Sequence, residues 1–501
     1  MPVKAPKTSR HLEVERKFDV VESTVSPSFE GIAAVDHVDK SPTESLDATY
    51  FDTPTHELAR NKITLRRRTG GHDAGWHLKL PAGPPEARTE VRAPLDAGEH
   101  DTVPGELRDI VLAIVRERPL EPVARISTER ETQVLYGADG AALAEFSNDH
   151  VTAWAAGTSD APPAEQEWRE WELELAENNG AADSELLGRL SNRLLDAGAA
   201  PAGHASKLAR VLGTTAPANE TQKPADPVHR AVAEQVAELL VWDRAVRADA
   251  HDAVHQMRVT IRKIRSLLAD SQGASESSDI ARIQDELREL ANVLGVARDA
   301  EVLAERYQQA LDKLPPELVR GRIRKRLVEG ARRRYQTGLR RSLIAMRSQR
   351  YFRLLDALDA WVAEIPTAAS GDEPAPITLE AAYQKVRKAA KAAAEVQPDS
   401  EQELDLALHR IRKRAKRLRY TAAATGATRV SEQAKAIQTL LGDHQDSVVS
   451  REHLSHQAEA AHTAGEDTFS YGLLYQQEAD LAERCRQQLD EALRKLAKAV
   501  H

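Results

Sequence analysis

The segment HLEVERKFDV, residues 11–20, decides the fold of the first part of the chain. Its charged residues alternate with apolar ones, and the side chains of a β-strand alternate between the two faces. Glu13, Glu15 and Lys17 therefore share one face, which cannot belong to an apolar core. That face is either solvated, as in many antiparallel sheets, or it lines a polar cavity.

Further strand-like segments up to residue 175 place charges on one face in the same way. These are Arg66 with Arg68 in LRRR (65–68), His77 with Lys79 in WHLKLP (76–81), Arg88, Glu90 and Arg92 in RTEVRAP (88–94), and Glu170, Glu172 and Glu174 in WREWELEL (168–175). In the last segment Trp171, Leu173 and Leu175 occupy the opposite face, which we expect to be buried. Turn-forming residues separate the strands, so the sequence predicts an antiparallel β-barrel with charge inside.

A charged interior of this kind suits a specific chemistry. Carboxylates bind the hard cations Mg²⁺ and Mn²⁺, which bridge to phosphate oxygens. Arginine and lysine neutralise phosphate, arginine in bidentate fashion. The two sets together predict a site for a short phosphoanhydride.

The domain organisation follows from changes in composition. The chain of 501 residues is longer than one hydrophobic core usually serves. The polar, Pro-rich stretch 214–227 is the predicted linker between a domain at 1–213 and one at 228–501, so the fold class is α+β, a barrel followed by an all-α domain. A second break at 366–378 divides the helical part into two halves.

Composition also limits the location and the partners. The single cysteine, Cys485, excludes a disulfide framework. The sequence shows neither a signal peptide nor an apolar run of 18 residues. We therefore expect a cytoplasmic protein. Residues 1–215 carry 24 Lys and Arg against 36 Asp and Glu, whereas the remainder carries 45 against 42. The basic residues of the remainder cluster at Arg320–Arg353 and at His409–Arg419. Such clusters indicate either a polyanionic partner or a solvated helix surface.

The helical part contains an internal repeat. VHQMRVTIRKIRSLL (254–268) aligns with LHRIRKRAKRLRYTA (408–422), and LGVARD (294–299) aligns with LGDHQD (441–446). In both copies cations follow a histidine at offsets of 3, 7 and 10 residues, on one helix face beside an apolar seam. The aligned residues are His255, Arg258, Arg262 and Arg265 in the first copy and His409, Arg412, Lys416 and Arg419 in the second. We name these two sets the basic stripes and predict that they bind a polyanion.

Two other ligands are disfavoured at the stripes. Metal binding by the histidines conflicts with the neighbouring cations, which would repel a metal. Nucleic acid conflicts with the acidic net charge and with the absence of aromatic residues interleaved with the basic ones.

Residues 11–212 resemble the CYTH, or triphosphate tunnel, family. The resemblance rests on the ExExK motif at 13–17 and on segments in family order: YFDTPTHEL (50–58), LRRR, WHLKLP, ELEL (172–175) and SKLAR (206–210). It implies a closed antiparallel barrel that, with Mg²⁺ or Mn²⁺, hydrolyses triphosphates or cyclises ATP.

The resemblance also implies roles for individual residues. It implies metal-binding acids at Glu13, Glu15, Glu172 and Glu174, with Asp149 as a further acid that could equally belong to a turn. It implies phosphate-binding cations at Lys17, Arg66, Arg68, Lys79, Arg125 and Lys207. Glu15, Lys17 and Glu172 are the predicted catalytic residues, Arg130 and Glu90 are candidate tunnel residues, and Tyr50 and Asp52 are expected to shape the barrel.

Residues 226–495 resemble the CHAD family, which implies two pseudo-symmetric helical bundles with a basic groove that binds inorganic polyphosphate. We expect the stripes to lie close together in that groove. The predicted function is metal-dependent hydrolysis of inorganic triphosphate or short polyphosphate. The alternatives are a non-catalytic polyphosphate-binding protein, associated with polyphosphate granules, and a thiamine triphosphatase.

Overall fold

The computed structural model describes residues 9–82, 86–98, 102–156, 165–176, 184–213, 227–271, 278–363, 379–396 and 401–500. The chain divides into two compact units. Unit 1 is residues 1–253 with 358–365, and unit 2 is residues 254–357 with 366–501. The predicted linker, except for Pro227, and the predicted break at 366–378 lie outside the described residues.

Unit 1 contains ten β-strands. They are β1 (Ser9–Val20), β2 (His37–Lys40), β3 (Glu44–Asp52), β4 (Thr64–Thr69), β5 (Gly75–Pro81), β6 (Ala87–Ala93), β7 (Glu121–Tyr136), β8 (Ala142–Ala155), β9 (Glu165–Leu175) and β10 (Ala200–Pro201). Eight of them form a closed antiparallel ring in the order β1-β6-β5-β4-β3-β7-β8-β9, which returns to β1. The predicted barrel is confirmed.

Short helices cover the barrel of unit 1. They are α1 (Glu57–Arg60), α2 (Gly105–Ile110), α3 (Leu112–Val115), α4 (Ser184–Asp196), α5 (Lys207–Val211) and the longer α6 (Pro227–Arg247). Leucines of α4 pack against Trp171 and Leu173 of β9, which confirms that this face of β9 is buried. Because the outer faces are apolar and covered, the charged faces point inward.

Asp52, at the end of β3, organises one end of the barrel. It is fully buried, and its carboxylate accepts hydrogen bonds from the backbone N–H groups of Thr53, Leu58 and Ala59 at 2.7, 2.8 and 2.9 Å. These bonds satisfy donors at the start of α1. The predicted structural role of Asp52 is therefore confirmed.

Unit 2 is helical. Its helices are α7 (Ala253–Ser271), α8 (Ser278–Asp312), α9 (Gly330–Ala345), α10 (Gln349–Ala363, whose last six residues belong to unit 1), α11 (Leu379–Ala394), α12 (Glu401–Ala424), α13 (Thr428–Thr463) and α14 (Phe469–Val500). The order of a basic helix, a long helix and a third helix recurs as α7-α8-α9 and α12-α13-α14. None of the described helices is long and apolar enough to cross a membrane.

One hydrophobic cluster of unit 2 joins the two copies of the repeat. Tyr307 and Leu311 of α8 pack with Leu454 of α13 and Leu474 of α14. Where α8 crosses α9, a Cβ atom on Gly338 would lie 2.7 Å from the backbone nitrogen of Ala297, so only glycine permits this approach.

Candidate functional site

The inward faces of the strands surround a cavity of about 460 Å³. Its charged lining includes the acids Glu13, Glu15, Glu90, Glu145, Glu172 and Glu174 and the bases Lys17, Arg66, Arg68, Lys79, Arg92, Arg130 and Lys207. The ExExK face therefore lines a polar cavity, and the solvated alternative is excluded.

The ExExK motif stands at the seam where the barrel closes. In the register of β1 with β9, Glu15 lies opposite Glu174 and Lys17 lies opposite Glu172. The Lys17 ammonium donates to Glu172 at 2.5 Å and to Glu15 at 2.9 Å. Burial raises the pKa of Glu15, but the charges of Lys17 and Lys79 outweigh it and hold that pKa at about 2. Glu15 is therefore ionised at neutral pH.

A second group of charges surrounds Lys207, which begins α5 behind a Ser206 side chain that accepts from the N–H of Ala209. The buried Lys207 ammonium lies 2.8 Å from Asp149, 2.7 Å from Glu170 and 2.8 Å from Glu172. Burial lowers the pKa of Lys207, but the three carboxylates outweigh it and raise it above its usual value.

The structure decides the position of Asp149, which the sequence left open. It lies within β8, opposite Arg130 of β7 and Glu170 of β9, and its side chain is fully buried. The turn alternative is excluded. Asp149, Glu170 and Glu172 offer oxygen atoms that all lie within 4.8 Å of one another, a group able to hold a metal ion. Glu170 shares the predicted inward face but was not among the predicted ligands.

The predicted phosphate ligand Arg125 requires a correction. It lies outside the cavity, with its side chain 64% exposed, and donates to Asp47 at 2.7 Å. Arg130, five residues further along β7, points inward, because an odd separation places two residues on opposite faces. Its guanidinium donates to Asp149 at 2.7 Å and to Glu172 at 2.5 Å.

The opposite wall of the cavity is formed by β3, β4 and β5. Lys79 pairs with Glu13 at 2.6 Å, and Arg66 donates to the Tyr50 hydroxyl at 3.3 Å. Tyr50 therefore lines the cavity rather than serving only the barrel wall. The buried Nε atoms of Arg66 and Arg68 have no hydrogen-bond partner among the described residues. Both arginines line the cavity, and a guanidinium group in a cavity lining suits a phosphate oxygen.

The acids fit a divalent cation on two observations. Asp149, Glu170 and Glu172 supply hard oxygen ligands, as Mg²⁺ and Mn²⁺ require. Further along the same face of β9, burial and then the charges of Glu13 and Glu15 raise the pKa of Glu174 to about 8. This excess of negative charge is what a cation would offset. Glu13, Glu15, Asp149, Glu172 and Glu174 remain the predicted ligands.

The basic stripes lie on α7 and α12, and their apolar seams are buried as predicted. The seam residues Val254, Met257, Ile261, Ile264 and Leu268 of α7 and Leu408, Ile411, Ala415, Leu418 and Ala422 of α12 are all at most 4% exposed. The second residue of each stripe, Arg258 or Arg412, lies against the glycine of the next helix, Gly295 or Gly442. A Cβ atom on Gly295 would lie 3.5 Å from the Arg258 guanidinium, and one on Gly442 would lie 3.4 Å from that of Arg412.

One cation of the first stripe affects a cation of the second. Burial lowers the pKa of Lys416, and the nearby charges of Arg262, Arg412 and Arg419 lower it further. Arg262 belongs to the first stripe, whereas the other residues belong to the second. Arg262 of the first stripe and Lys416 of the second are therefore near enough to repel each other, and the expectation of one continuous groove stays a prediction.

The stripes also contain buried polar atoms without a hydrogen-bond partner. Arg265 Nε and His409 Nδ1 are buried with no hydrogen-bond partner among the described residues. Arg258 forms an ion pair at 3.4 Å with Asp299, the aspartate of the LGVARD segment. In the Arg320–Arg353 cluster, by contrast, Arg324 pairs with Asp312 and Arg326 with Glu466, so part of that cluster is neutralised within unit 2.

Comparison with known proteins identifies the family. Residues 11–194 match the model of the CYTH domain, and residues 230–455 match that of the CHAD domain. The chain is 73% identical over 510 residues to Rv2226 of Mycobacterium tuberculosis strain H37Rv, covering 100% of this chain and 99% of that protein. It therefore belongs to the family of proteins in which a CYTH domain precedes a CHAD domain.

Solved structures resemble each half separately. The CHAD domain of the plant Ricinus communis is 26% identical, with a TM-score of 0.40, covering 53% of this chain and 90% of that domain. A putative adenylyl cyclase from Hippeastrum, described as having a dominant triphosphatase activity, is 15% identical, with a TM-score of 0.25, covering 40% of this chain and 95% of that protein.

Proposed function

We propose that the barrel is a metal-dependent hydrolase of inorganic triphosphate or short polyphosphate, and that the helical part binds inorganic polyphosphate. One observation carries the hydrolase proposal. One cavity is lined both by carboxylates and by guanidinium and ammonium groups, and it shares Glu172 with the cluster of Asp149, Glu170 and Glu172. Carboxylates alone would suit a cation and arginines alone an anion, whereas both together suit a phosphate chain bound with a metal.

The residues divide between metal and phosphate. Glu13, Glu15, Asp149, Glu172 and Glu174 would hold Mg²⁺ or Mn²⁺, which when bound polarises the phosphoryl oxygens. Lys17, Arg66, Arg68, Lys79, Arg130 and Lys207 would bind phosphate oxygens and stabilise the charge that develops on them. The ionised Glu15 or Glu172 would accept a hydrogen bond from the attacking water and orient it.

The cavity lining favours an inorganic substrate. Its one aromatic residue among those described is Tyr50, whose hydroxyl accepts from Arg66. A nucleobase or the rings of thiamine would need an aromatic or broad apolar platform to stack on. ATP and thiamine triphosphate are therefore expected to be poorer substrates than inorganic triphosphate.

Substrate comparison on the purified full chain tests the hydrolase proposal. Orthophosphate release is measured from inorganic triphosphate, short polyphosphate, ATP and thiamine triphosphate, with Mg²⁺, with Mn²⁺ and with excess EDTA. We expect metal-dependent release that is fastest from inorganic triphosphate. Equal activity in EDTA, or conversion of ATP to cyclic AMP as the main reaction, would contradict the proposal.

Polyphosphate binding is proposed from the paired basic stripes. Removing two stripe cations with Arg258→Ala plus Arg412→Ala should weaken binding to long-chain polyphosphate. A plot of the logarithm of affinity against the logarithm of salt concentration should also become less steep, its slope decreasing in magnitude by roughly one to two, by analogy with nucleic-acid complexes. Arg282→Ala plus Arg494→Ala is the matched control, because each of these exposed arginines pairs within its own helix. Equal affinity of both double variants would place the polyphosphate site elsewhere.

Acidic pH should strengthen polyphosphate binding through the stripe histidines. Burial and then the charges of Lys413 and Arg412 lower the pKa of His409 from its usual value. Since His409 gains its charge below about pH 6.5, affinity should rise as the pH falls below that value.

The competing proposal, a non-catalytic polyphosphate-binding protein, predicts the same binding but no phosphate release with any metal.

A further inference from the structure

A buried histidine, His77, lies on the inward face of β5 but is not part of the cavity lining. It is 1% exposed, and it stands opposite Arg66 of β4 and Arg92 of β6, both of which line the cavity. Glu90 lines the cavity, and His77 makes a hydrogen bond of 2.9 Å with its side chain. It can therefore influence a ligand only through its neighbours.

The hydrogen bonds of His77 require a proton on each side of the ring. Its Nε2 lies 2.9 Å from the backbone carbonyl oxygen of Asp73, which can only accept. Its Nδ1 lies 2.9 Å from a carboxylate oxygen of Glu90. Burial lowers the pKa of His77 to about 4, while Glu90 has a pKa well below its usual value. Because Nδ1 and the Glu90 oxygen lie 2.9 Å apart, the contact is a hydrogen bond only when one proton lies between them, on the ring or on the carboxyl group.

Glu90 in turn orients two cations of the cavity. It is 1% exposed, and its second oxygen accepts from Arg92 Nε, while the Lys79 ammonium lies 4.0 Å from its first oxygen. With Nε engaged in this way, the guanidinium of Arg92 presents its terminal nitrogens, one of which lies 3.6 Å from Glu13. A carboxylate with two bonded oxygens cannot rotate freely, so the His77 bond restrains Arg92 as well.

His77 also restrains the turn that follows β4. The carbonyl of Asp73 accepts from His77, and the side chain of the same residue pairs with Arg68. Three cavity cations, Arg68, Lys79 and Arg92, are thus connected through one imidazole. A positioned cation binds phosphate more tightly than a mobile one, because less side-chain entropy is lost on binding.

We propose that His77 is a positioning residue for phosphate binding, and that it acts through Glu90 to hold Arg92 as a further phosphate ligand of the cavity. This inference rests on the proposed function only in that the cavity binds triphosphate; it does not require hydrolysis. Neither His77 nor Arg92 is among the ligands predicted from the sequence.

Two substitutions separate the two bonds of His77. In His77→Asn the amide nitrogen takes the position of Nδ1 and keeps the bond to Glu90. In His77→Gln the amide nitrogen takes the position of Nε2 and keeps the bond to Asp73. If His77 acts through Glu90, the smaller Asn must therefore preserve more function than the larger Gln, whereas a role in packing alone predicts the reverse order.

The experiment is a calorimetric titration of the full chain with inorganic triphosphate, in EDTA and in Mg²⁺. We expect His77→Gln to weaken affinity about tenfold, the usual effect of losing a buried hydrogen bond to a charged group, and His77→Asn to stay within about threefold. His37→Gln, the same change at an exposed histidine of β2, is the control. Equal affinity of the His77 variants, or better binding by Gln, overturns the proposal.

Two further measurements complete the test. If wild type binds triphosphate but releases no phosphate, the hydrolase proposal fails, and the affinity comparison still decides the role of His77. If His77→Gln does not fold, a crystal structure of the wild-type chain with triphosphate decides it. Arg92 should then bond both a phosphate oxygen and Glu90, and an Arg92 turned away from the phosphate overturns the proposal.

Discussion

Replacing Lys207 by methionine should destabilise unit 1 at neutral pH, because the lysine neutralises a buried acidic group. Its ammonium lies 2.7 to 2.8 Å from Asp149, Glu170 and Glu172 and is 8% exposed. Methionine has a similar length but no charge. In the variant Glu172 keeps Lys17 and Arg130 as close cations and Asp149 keeps Arg130, whereas Glu170 loses the ion pair that it makes with Lys207.

The magnitude follows from the burial of the site. Removing one partner of a buried ion pair costs about 3–5 kcal/mol. In a domain of this size each kcal/mol lowers Tm by about 2–4 °C, so a decrease of roughly 6–20 °C is expected. The pKa of Asp149 is held below its usual value, because Lys207 and Arg130 outweigh the effect of burial. A carboxylate with a lowered pKa stabilises the fold above its unfolded pKa and loses that contribution as the pH falls. The difference between variant and wild type should therefore shrink below about pH 4.

The assay can follow unit 1 alone. All six tryptophans, Trp76, Trp154, Trp168, Trp171, Trp242 and Trp361, belong to unit 1, so tryptophan fluorescence reports its unfolding in the full chain. Lys40→Met, at an exposed lysine of β2, is the control. Mg²⁺ should raise the Tm of Lys207→Met more than that of wild type, because a cation can replace the lost ammonium. An unchanged Tm at pH 7, or a decrease that persists undiminished at pH 3.5, would refute the reasoning.

Three further predictions concern stability. Glu174→Gln should stabilise unit 1 above pH 8 by on the order of 3 kcal/mol, because the pKa of Glu174 is raised to about 8 and its ionisation therefore destabilises the fold. At pH 4, where Glu174 is protonated, the substitution should have little effect. An equal effect at both pH values would contradict this. Gly338→Ala should destabilise unit 2 by about 1–3 kcal/mol, whereas Gly472→Ala, where a Cβ meets no atom within 4 Å, should be nearly neutral in chemical denaturation. Asp52→Asn should lower the Tm of unit 1 by weakening hydrogen bonds to the start of α1, an effect worth about 1–2 kcal/mol.

The sequence predicted the barrel and most of its lining because period-two alternation assigns residues to faces. It could not predict which faces meet across the ring. The register that sets Lys17 opposite Glu172 joins segments more than 150 positions apart, and no local pattern encodes it. Lys207 lies on a helix, so its position among the acids of β8 and β9 depends on how the chain folds back over the barrel.

The incorrect prediction at Arg125 has a local cause. The segment around it, ARISTERETQ (124–133), carries polar residues on both faces, so alternation does not indicate which arginine points inward. Only the pairing of β7 with β8, which sets Arg130 opposite Asp149, decides the question. The orientation of the basic stripes was easier to predict than that of Arg125. An apolar seam with the helical period lies beside each stripe and determines which side of the helix is buried.

The most direct test of the central claim compares phosphate release from inorganic triphosphate by three forms of the full chain. Wild type should release orthophosphate only with Mg²⁺ or Mn²⁺. Glu15→Gln should abolish release yet still bind long-chain polyphosphate. Arg258→Ala plus Arg412→Ala should release phosphate at the wild-type rate while binding polyphosphate weakly. Absence of release by wild type with either metal, or full activity of Glu15→Gln, would contradict a triphosphate hydrolase in the barrel.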